Sequence, residues 1–557
     1  MNTEFSPQRV QKLTGAQAIV ECMKIEGITN VFCVPGESYL PVLDALYDEA
    51  SISVISTRHE SGAAFMAEGY AKSALKPGVV LATRGVGAAN LSIGVHTAYQ
   101  DSTPMVVFLG QVHSKFRGRE GFQEVDLDRY FQPIAKWAVE IKDPERMPEI
   151  VQRAFRIAQT GRPGPVIVSL PEDVLPTAAN MTFGPGITKP KPAPSDDEIG
   201  RMDQLLQGAR HPLIIAGGGV KSSQAEETLQ EFAEKYQIPV AAAFRRHDAF
   251  PNDHPLYVGH LGLGTNKKVL QTVAEADVIL ALGTRLSEVT TQDYQILRGS
   301  KKLIHIDIDD ATIGKVYAPD LGIVADLQEA LKRMVSLMVN PSWKTWTEER
   351  RMAYESISQL TATDEDVINK QIMVLLKDKL PKHALLTNDA GNFAGWLHAF
   401  YPFTEKHTYV GPTSGAMGYG MPAALGAKLA FPNKQVVSLS GDGGFMMTVQ
   451  ELETAVRYNI PVISLVFNNN MYGTIRMHQE MHYPEKVMAT DLGHVSFADL
   501  AKSIGAEGFT TNTLDEFSEV LDHALQNNKP TVIEIITSKE QISVSSTIKE
   551  IRERSKK

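Results

Sequence analysis

The chain repeats one pattern three times: a short apolar run, a glycine turn, then an amphipathic stretch. In the first third, Val31-Phe-Cys-Val34 leads into Pro35-Gly36. Ser53-Val-Ile-Ser-Thr57 precedes a helical pattern over Glu60–Ala74, and Gly78-Val-Val-Leu-Ala82 precedes Gly85-Val-Gly87. In the middle third, Pro212-Leu-Ile-Ile-Ala216 meets Gly217-Gly218-Gly219, and Asp277-Val-Ile-Leu-Ala-Leu282 meets Gly283. In the last third, Gln435-Val-Val-Ser-Leu-Ser440 meets Gly441-Asp442-Gly443-Gly444, and Pro461–Phe467 meets Asn468. Short β-branched and aliphatic runs bounded by glycine predict strands, and their alternation with helices predicts parallel sheets. The fold class is therefore α/β, with three doubly wound parallel-sheet domains. Ligands in such sheets sit at the carboxyl ends of strands, where these turns lie.

Two stretches read as linkers. Thr182 to Asp197 holds Pro185, Pro190, Pro192 and Pro194 with little apolar periodicity, which predicts an extended crossing. Val339 to Asp364 is polar and reads either as a linker or as one connecting helix. The expected domains are residues 10–180, 195–340 and 365–545.

Composition narrows the function classes. With 55 basic and 65 acidic residues, the net charge of −10 argues against an electrostatic grip on nucleic acid or anionic lipid. Two cysteines, Cys22 and Cys33, exclude a disulfide framework or a cysteine-built zinc site. No apolar run reaches the ~20 residues of a membrane span, and the N-terminus lacks the features of a signal peptide. A soluble, cytoplasmic protein with small-molecule substrates is expected.

The most informative chemistry is Gly441-Asp442-Gly443-Gly444 followed by Asn468-Asn469-Asn470-Met471-Tyr472-Gly473. Asp442 and Asn469 stand 27 residues apart. That leaves room for one helix, expected over Thr448–Tyr458, and the next strand, so both side chains end at neighbouring strand tips. Carboxylate and amide oxygens are hard ligands suited to Mg²⁺, which commonly shares its coordination with phosphate. Flanking glycines let backbone N–H groups approach a phosphate closely. Each piece alone is also an ordinary turn; the pair at this spacing is not. In Thr57-Arg58-His59-Glu60, Glu60 opens a helix, where a carboxylate gains from the helix dipole whatever its function.

The two segments together resemble the thiamine-diphosphate enzyme family, whose signatures are GDG followed by NN, and H-E-x-x-A-x-x-M-A-x-G-Y. The resemblance assigns the metal to Asp442, Asn469 and the Met471 carbonyl, and the diphosphate region to Gly441, Gly443, Gly444, Tyr472 and Gly473. It makes Glu60 the partner of N1′ of the aminopyrimidine, the contact that readies the cofactor to lose its thiazolium C2 proton. Gly411–Ala424 is similar to SGGLGAMGFGLPAA of the acetohydroxyacid (acetolactate) synthases. That places Gly415 near the cofactor and Met417 between its two rings. Asn388-Asp389-Ala390-Gly391-Asn392 falls where further diphosphate contacts occur.

The resemblance to acetolactate synthase catalytic subunits runs from about Gly15 to Thr537. Pro35, Gly36, Thr83 and Asn90 fall at cofactor-side positions, Gln123 at a catalytic substrate contact and Lys136 at a pocket lysine. The three domains would be pyrimidine-binding, central Rossmann-like and diphosphate-binding. Glu60 argues against glyoxylate carboligase, which lacks this acid. Three departures stand out. The family's PGG turn is here Pro35-Gly36-Glu37, and TSGPG is Thr83-Arg84-Gly-Val-Gly87. The tryptophan that selects 2-ketobutyrate is replaced by His478, which puts a branched-chain role in doubt. Gly217-Gly218-Gly219, Arg285 and the strand-end acids Asp307 and Asp309 resemble the FAD-binding central domain, but the second arginine of GVRFDDR is missing. Related members bind FAD, ADP or nothing there. Lys115, Arg117 and Arg119 read as a solvated loop or an anion contact.

The implied activity is thiamine-diphosphate- and Mg²⁺-dependent decarboxylation of a 2-keto acid, pyruvate first, with ligation to a second keto acid or an aldehyde. The alternative is a decarboxylase or lyase of the same family that does not ligate. A nucleotide-binding regulatory or redox protein is the reading outside the family. The resemblance also implies a homodimer or homotetramer with the active site between subunits; whether a regulatory subunit is needed is open.

Overall fold

The computed structural model describes residues 10–359 and 368–556. It contains three six-stranded parallel sheets, as the repeated pattern predicts. The first is ordered Ser53–Ser56, Asn30–Cys33, Gly78–Thr83, Met105–Gln111, Pro165–Pro171, Trp137–Glu140. The second is ordered Tyr257–His260, Val240–Ala242, Pro212–Ala216, Val278–Leu282, Lys302–Asp307, Leu321–Val324. The third is ordered Tyr409–Val410, Leu385–Asn388, Val436–Gly441, Ile463–Asn468, Thr531–Ile536, Glu507–Thr511. Their central strands are buried throughout, because helices cover both faces. A short antiparallel pair, Gln11–Thr14 with Ala178–Met181, brings the ends of the first unit together.

Residues 182–195 form no helix or strand, and Ser195 caps the helix Asp196–Gln207. In the second stretch the helical alternative holds in part: Lys344–Ser358 is a helix. Residues 360–367, which include the end of that stretch and the expected start at 365, lie outside the described residues. The helix expected over Thr448–Tyr458 is present as Glu451–Arg457, and a short helix not expected from the sequence, Asp442–Met447, precedes it. Thr448 separates them, with φ −134° and its hydroxyl donating to the Gly418 carbonyl at 2.7 Å.

The first and third units share one apolar cluster running from Phe65 and Met66 to Tyr419 and Leu425. Helix Glu60–Ala74 lies directly on helix Gly420–Ala430. Glycine permits this approach: a Cβ on Gly69 would strike Ala423, and one on Gly426 would strike the Met66 carbonyl. Charges tie all three units at one point. Asp101 pairs with Lys72 at 3.0 Å and with Arg246 of the central unit at 3.1 Å, and accepts the Thr413 N–H at 3.0 Å. Those cations hold the Asp101 carboxyl down at about 2, against the burial that raises it.

Candidate active site

Strands Val436–Gly441 and Ile463–Asn468 are neighbours in register, Gly441 facing Phe467. Asp442 and Asn469 therefore leave adjacent strand tips, as the spacing implies. One Asp442 carboxylate oxygen accepts the Gly443 N–H at 2.8 Å; the other is buried without a partner. Burial raises the Asp442 carboxyl, while the backbone N–H groups of Gly443, Asn470, Met471 and Asn469 draw it down. Asn470 turns left-handed, φ 52°, and accepts the Leu492 N–H at 2.9 Å. Tyr472 packs so closely on Gly443 that a Cβ there would reach its ring. The Asn392 amide donates to the Ile542 carbonyl at 2.9 Å and its oxygen accepts from Thr474 at 2.9 Å, next to Gly473. Gly391 lies against Phe393.

Asp389 lies behind this loop. It accepts the Tyr419 N–H at 2.8 Å, and a Cβ on Gly444 would come within 2.7 Å of its second, unpartnered oxygen. Burial lifts its carboxyl to about 6. The donor set fits a hard divalent cation: the Asp442 carboxylate oxygen without a partner at one strand tip, and the Asn469 amide and Met471 carbonyl on the loop after the neighbouring strand. Among the described residues no group of three His, Cys, Asp or Glu side chains offers a metal an alternative.

Glu60 opens its helix as predicted, 8% exposed. It accepts from the Asn90 amide at 2.9 Å, and Gly87 leaves room beside it, since a Cβ there would lie 3.1 Å from its carboxylate. The turn before it is fixed by Glu451, a residue the sequence reading missed. Glu451 is buried and accepts the N–H groups of Arg58 and His59 at 3.2 and 3.0 Å. Its position at a helix start gave no signal beyond that of any first-turn acid.

Gly36 faces Thr83, and Ser38 and Thr83 hydroxyls meet at 2.7 Å. Pro35 and Gly36 thus stand at the tip of strand Asn30–Cys33, next to that of Gly78–Thr83. Gln123 has φ 62° and its carbonyl accepts the Gly85 N–H at 3.0 Å. Met417 is half-buried beside Gly418, and Gly415 is exposed with φ 71°. His478 is exposed on helix Gly473–His482, parallel to His482. Lys136 donates to the carbonyls of Ile157, at 2.6 Å, and Thr160; burial lowers its ammonium to about 8. Among the described residues no hydrogen bond or ion pair joins it to Glu37 or His478. Arg117 is ion-paired with Glu124 and Glu140 at 2.9 and 3.1 Å, so it is a structural cation of its loop.

A separate cavity of about 580 Å³ opens where the three units meet. Gly218, Gly219, Arg285 and Asp307 line it, with Arg162 and Arg246 adding positive charge. Gly217 and Asp309 are not part of its wall. Gly217 packs on Gly283, and Asp309 accepts from the Thr312 hydroxyl at 2.7 Å. Burial lifts the Asp307 carboxyl to about 6 and lowers Arg285 to about 10.

Comparison with known proteins agrees with the three-unit fold. Residues 13–129, 199–334 and 389–535 match the thiamine pyrophosphate enzyme N-terminal TPP-binding domain, central domain and C-terminal TPP-binding domain. The chain is 37% identical to a probable acetolactate synthase large subunit of Methanocaldococcus jannaschii, over 94% of this chain and 92% of that protein. It is 32% identical to the acetolactate synthase isozyme 3 large subunit of Escherichia coli, over 94% and 95%. A Lactococcus lactis acetolactate synthase large subunit is 33% identical, over 95% and 93%. No helix among the described residues is long and apolar enough to cross a membrane. The chain belongs to the thiamine pyrophosphate enzyme family, among the relatives of acetolactate synthase large subunits.

Proposed function

We propose that the protein decarboxylates a 2-keto acid, pyruvate first, and ligates the two-carbon unit to a second keto acid or an aldehyde. The observation that carries the reading is the unpartnered Asp442 oxygen on the loop next to Asn469 and Met471, at the tips of paired strands. These three residues would hold Mg²⁺ and through it the diphosphate. When bound, thiamine diphosphate supplies the carbanion chemistry. Glu60, oriented by Asn90, would hold a proton at N1′ of the pyrimidine, and Met417 would lie between the two rings. Glu37, Gln123 and His478 shape the substrate end; Lys136, expected there, instead precedes strand Trp137–Glu140, at the opposite, amino end of the sheet from the Glu37 and Thr83 tips.

Two copies of the chain complete the site. Among the described residues no hydrogen bond or ion pair joins Glu60 to loops 441–444 or 468–473. Each half also carries exposed apolar side chains: Val86 and Ile93 beside Asn90, Met446 and Met447 beyond Gly444. Such neighbours suit cover by a partner. The relatives' designation as large subunits supports a smaller companion chain. The three-way cavity has the volume and charge for a nucleotide of the FAD or ADP type. Supplying pyruvate to purified protein, and following CO₂, acetolactate and acetaldehyde with the flavin absorption, tests the reading. Acetolactate is expected; acetaldehyde alone would favour the decarboxylase, and no CO₂ would remove both.

A further inference from the structure

Two departures from the family pattern, Glu37 and Arg84, are bound to each other. Arg84 Nη1 lies 3.2 Å from a Glu37 carboxylate oxygen. Its other terminal nitrogen pairs with Glu172, and its guanidinium lies 5.9 Å over the Phe122 ring. Arg84 is 7% exposed, yet its Nε has no partner. Glu37, by contrast, has a side chain 68% exposed, and Phe122 is 72% exposed. One buried cation is thus held between a half-buried carboxylate and one that faces solvent.

The backbone around it is strained. Arg84 has φ 29° and Gln123 φ 62°, and the two loops are joined by the Gly85 N–H on the Gln123 carbonyl. Left-handed conformations at residues with side chains are unfavourable and cluster where function holds them. Arg84 also opens the helix Arg84–Asp101, whose Gly87 and Asn90 touch Glu60.

We propose that Arg84 receives the carboxylate of the 2-keto acid substrate and that Glu37 is the counter-ion it exchanges for it. This rests on the function proposed above. A guanidinium N–H donates a charge-assisted hydrogen bond to a carboxylate oxygen, so a substrate carboxylate can take the place that Glu37 now fills on Nη1. The exchange keeps the buried cation paired, and Glu37 passes into water, where it already largely sits. Glu172 stays and holds the guanidinium in place. A neutral carbonyl compound offers nothing to displace Glu37, which makes Arg84 a specificity-determining residue.

Equilibrium binding to the holoenzyme tests this without turnover. The probes are lactate, an unreactive carboxylate of pyruvate's size, and its neutral methyl ester. Wild type should prefer lactate roughly 10–100-fold, the scale of a charge-assisted hydrogen-bond pair. Arg84→Gln should abolish the preference, Arg84→Lys should keep part of it, and Glu37→Gln should tighten lactate. In turnover, KM for a keto acid should rise in Arg84→Gln with kcat less affected. Comparing a keto acid with an aldehyde as acceptor, at fixed pyruvate, separates donor from acceptor carboxylate. If Arg84→Gln fails to fold, Arg84→Lys and Glu37→Gln decide. Equal binding of acid and ester by wild type, or variants that leave the preference unchanged, would overturn the proposal. Wild type that shows the Arg84-dependent preference but releases no CO₂ from pyruvate would count against the proposed reaction alone.

Discussion

Glu60 has a single side-chain hydrogen-bond donor among the described residues, the Asn90 amide, and is otherwise enclosed. Glu60→Gln keeps the shape and the cofactor contact but removes the acid. Turnover of the variant should fall about 10²-fold or more, with thiamine diphosphate retained; steady-state rates and bound cofactor measured on one preparation check this, and near-wild-type turnover would contradict the role. The place of Glu60 at a helix start, and of Asp442 and Asn469 at neighbouring strand tips, was legible in the sequence because each is set by its own local turn and spacing. The Glu37–Arg84 pair was not legible as a pair. Its members are brought together by the pairing of strands Asn30–Cys33 and Gly78–Thr83, which no local pattern encodes. Glu451 was missed because its partners, the N–H groups of Arg58 and His59, come from another unit.

At the scale of elements, the contact between helices Glu60–Ala74 and Gly420–Ala430 places Glu60, the proposed catalytic acid. Met66 meets Gly426, and Ala423 meets Gly69, so the two backbones touch without intervening side chains. Gly426→Val forces a branched side chain against the Met66 carbonyl. It should destabilise the protein by about 1–3 kcal/mol or more, as overpacking does, and the denaturant midpoint reads it; an unchanged midpoint would show that the helices can part freely. The strands were readable as apolar runs, but the short helix Asp442–Met447 was not; the residue after it, Thr448, is held by its hydroxyl on the Gly418 carbonyl, thirty residues away.

Across the whole molecule, a buried histidine cluster joins the central and third units. His247 stacks on His398 at 4.2 Å between ring centroids and meets His260 edge-on at 4.6 Å. Burial holds all three below the ordinary histidine value of 6.5, His260 at about 4. In the unfolded chain His260 binds a proton near 6.5; in the folded chain it does not until about 4. The unfolded state therefore binds more protons between these values, and the His260 contribution to stability is lost as pH falls from 6.5 towards 4. Carboxyls raised by burial, such as Asp389, act in the opposite sense, so the difference between wild type and His260→Phe isolates the effect. The variant should lose less stability than wild type across that window in urea titrations, and parallel profiles would contradict it. None of this was visible in the sequence, where these histidines have no common motif.

The central claim is that acid and metal clamp from different copies of the chain enclose one cofactor. Mixing Glu60→Gln with Asp442→Ala subunits tests it most directly, since each variant alone is expected to be nearly inactive. Random exchange between dimers gives heterodimers with one intact site, and should restore about a quarter of wild-type activity. If exchange is demonstrated by differently tagged chains and the mixture stays inactive, each chain builds its own site and the account fails.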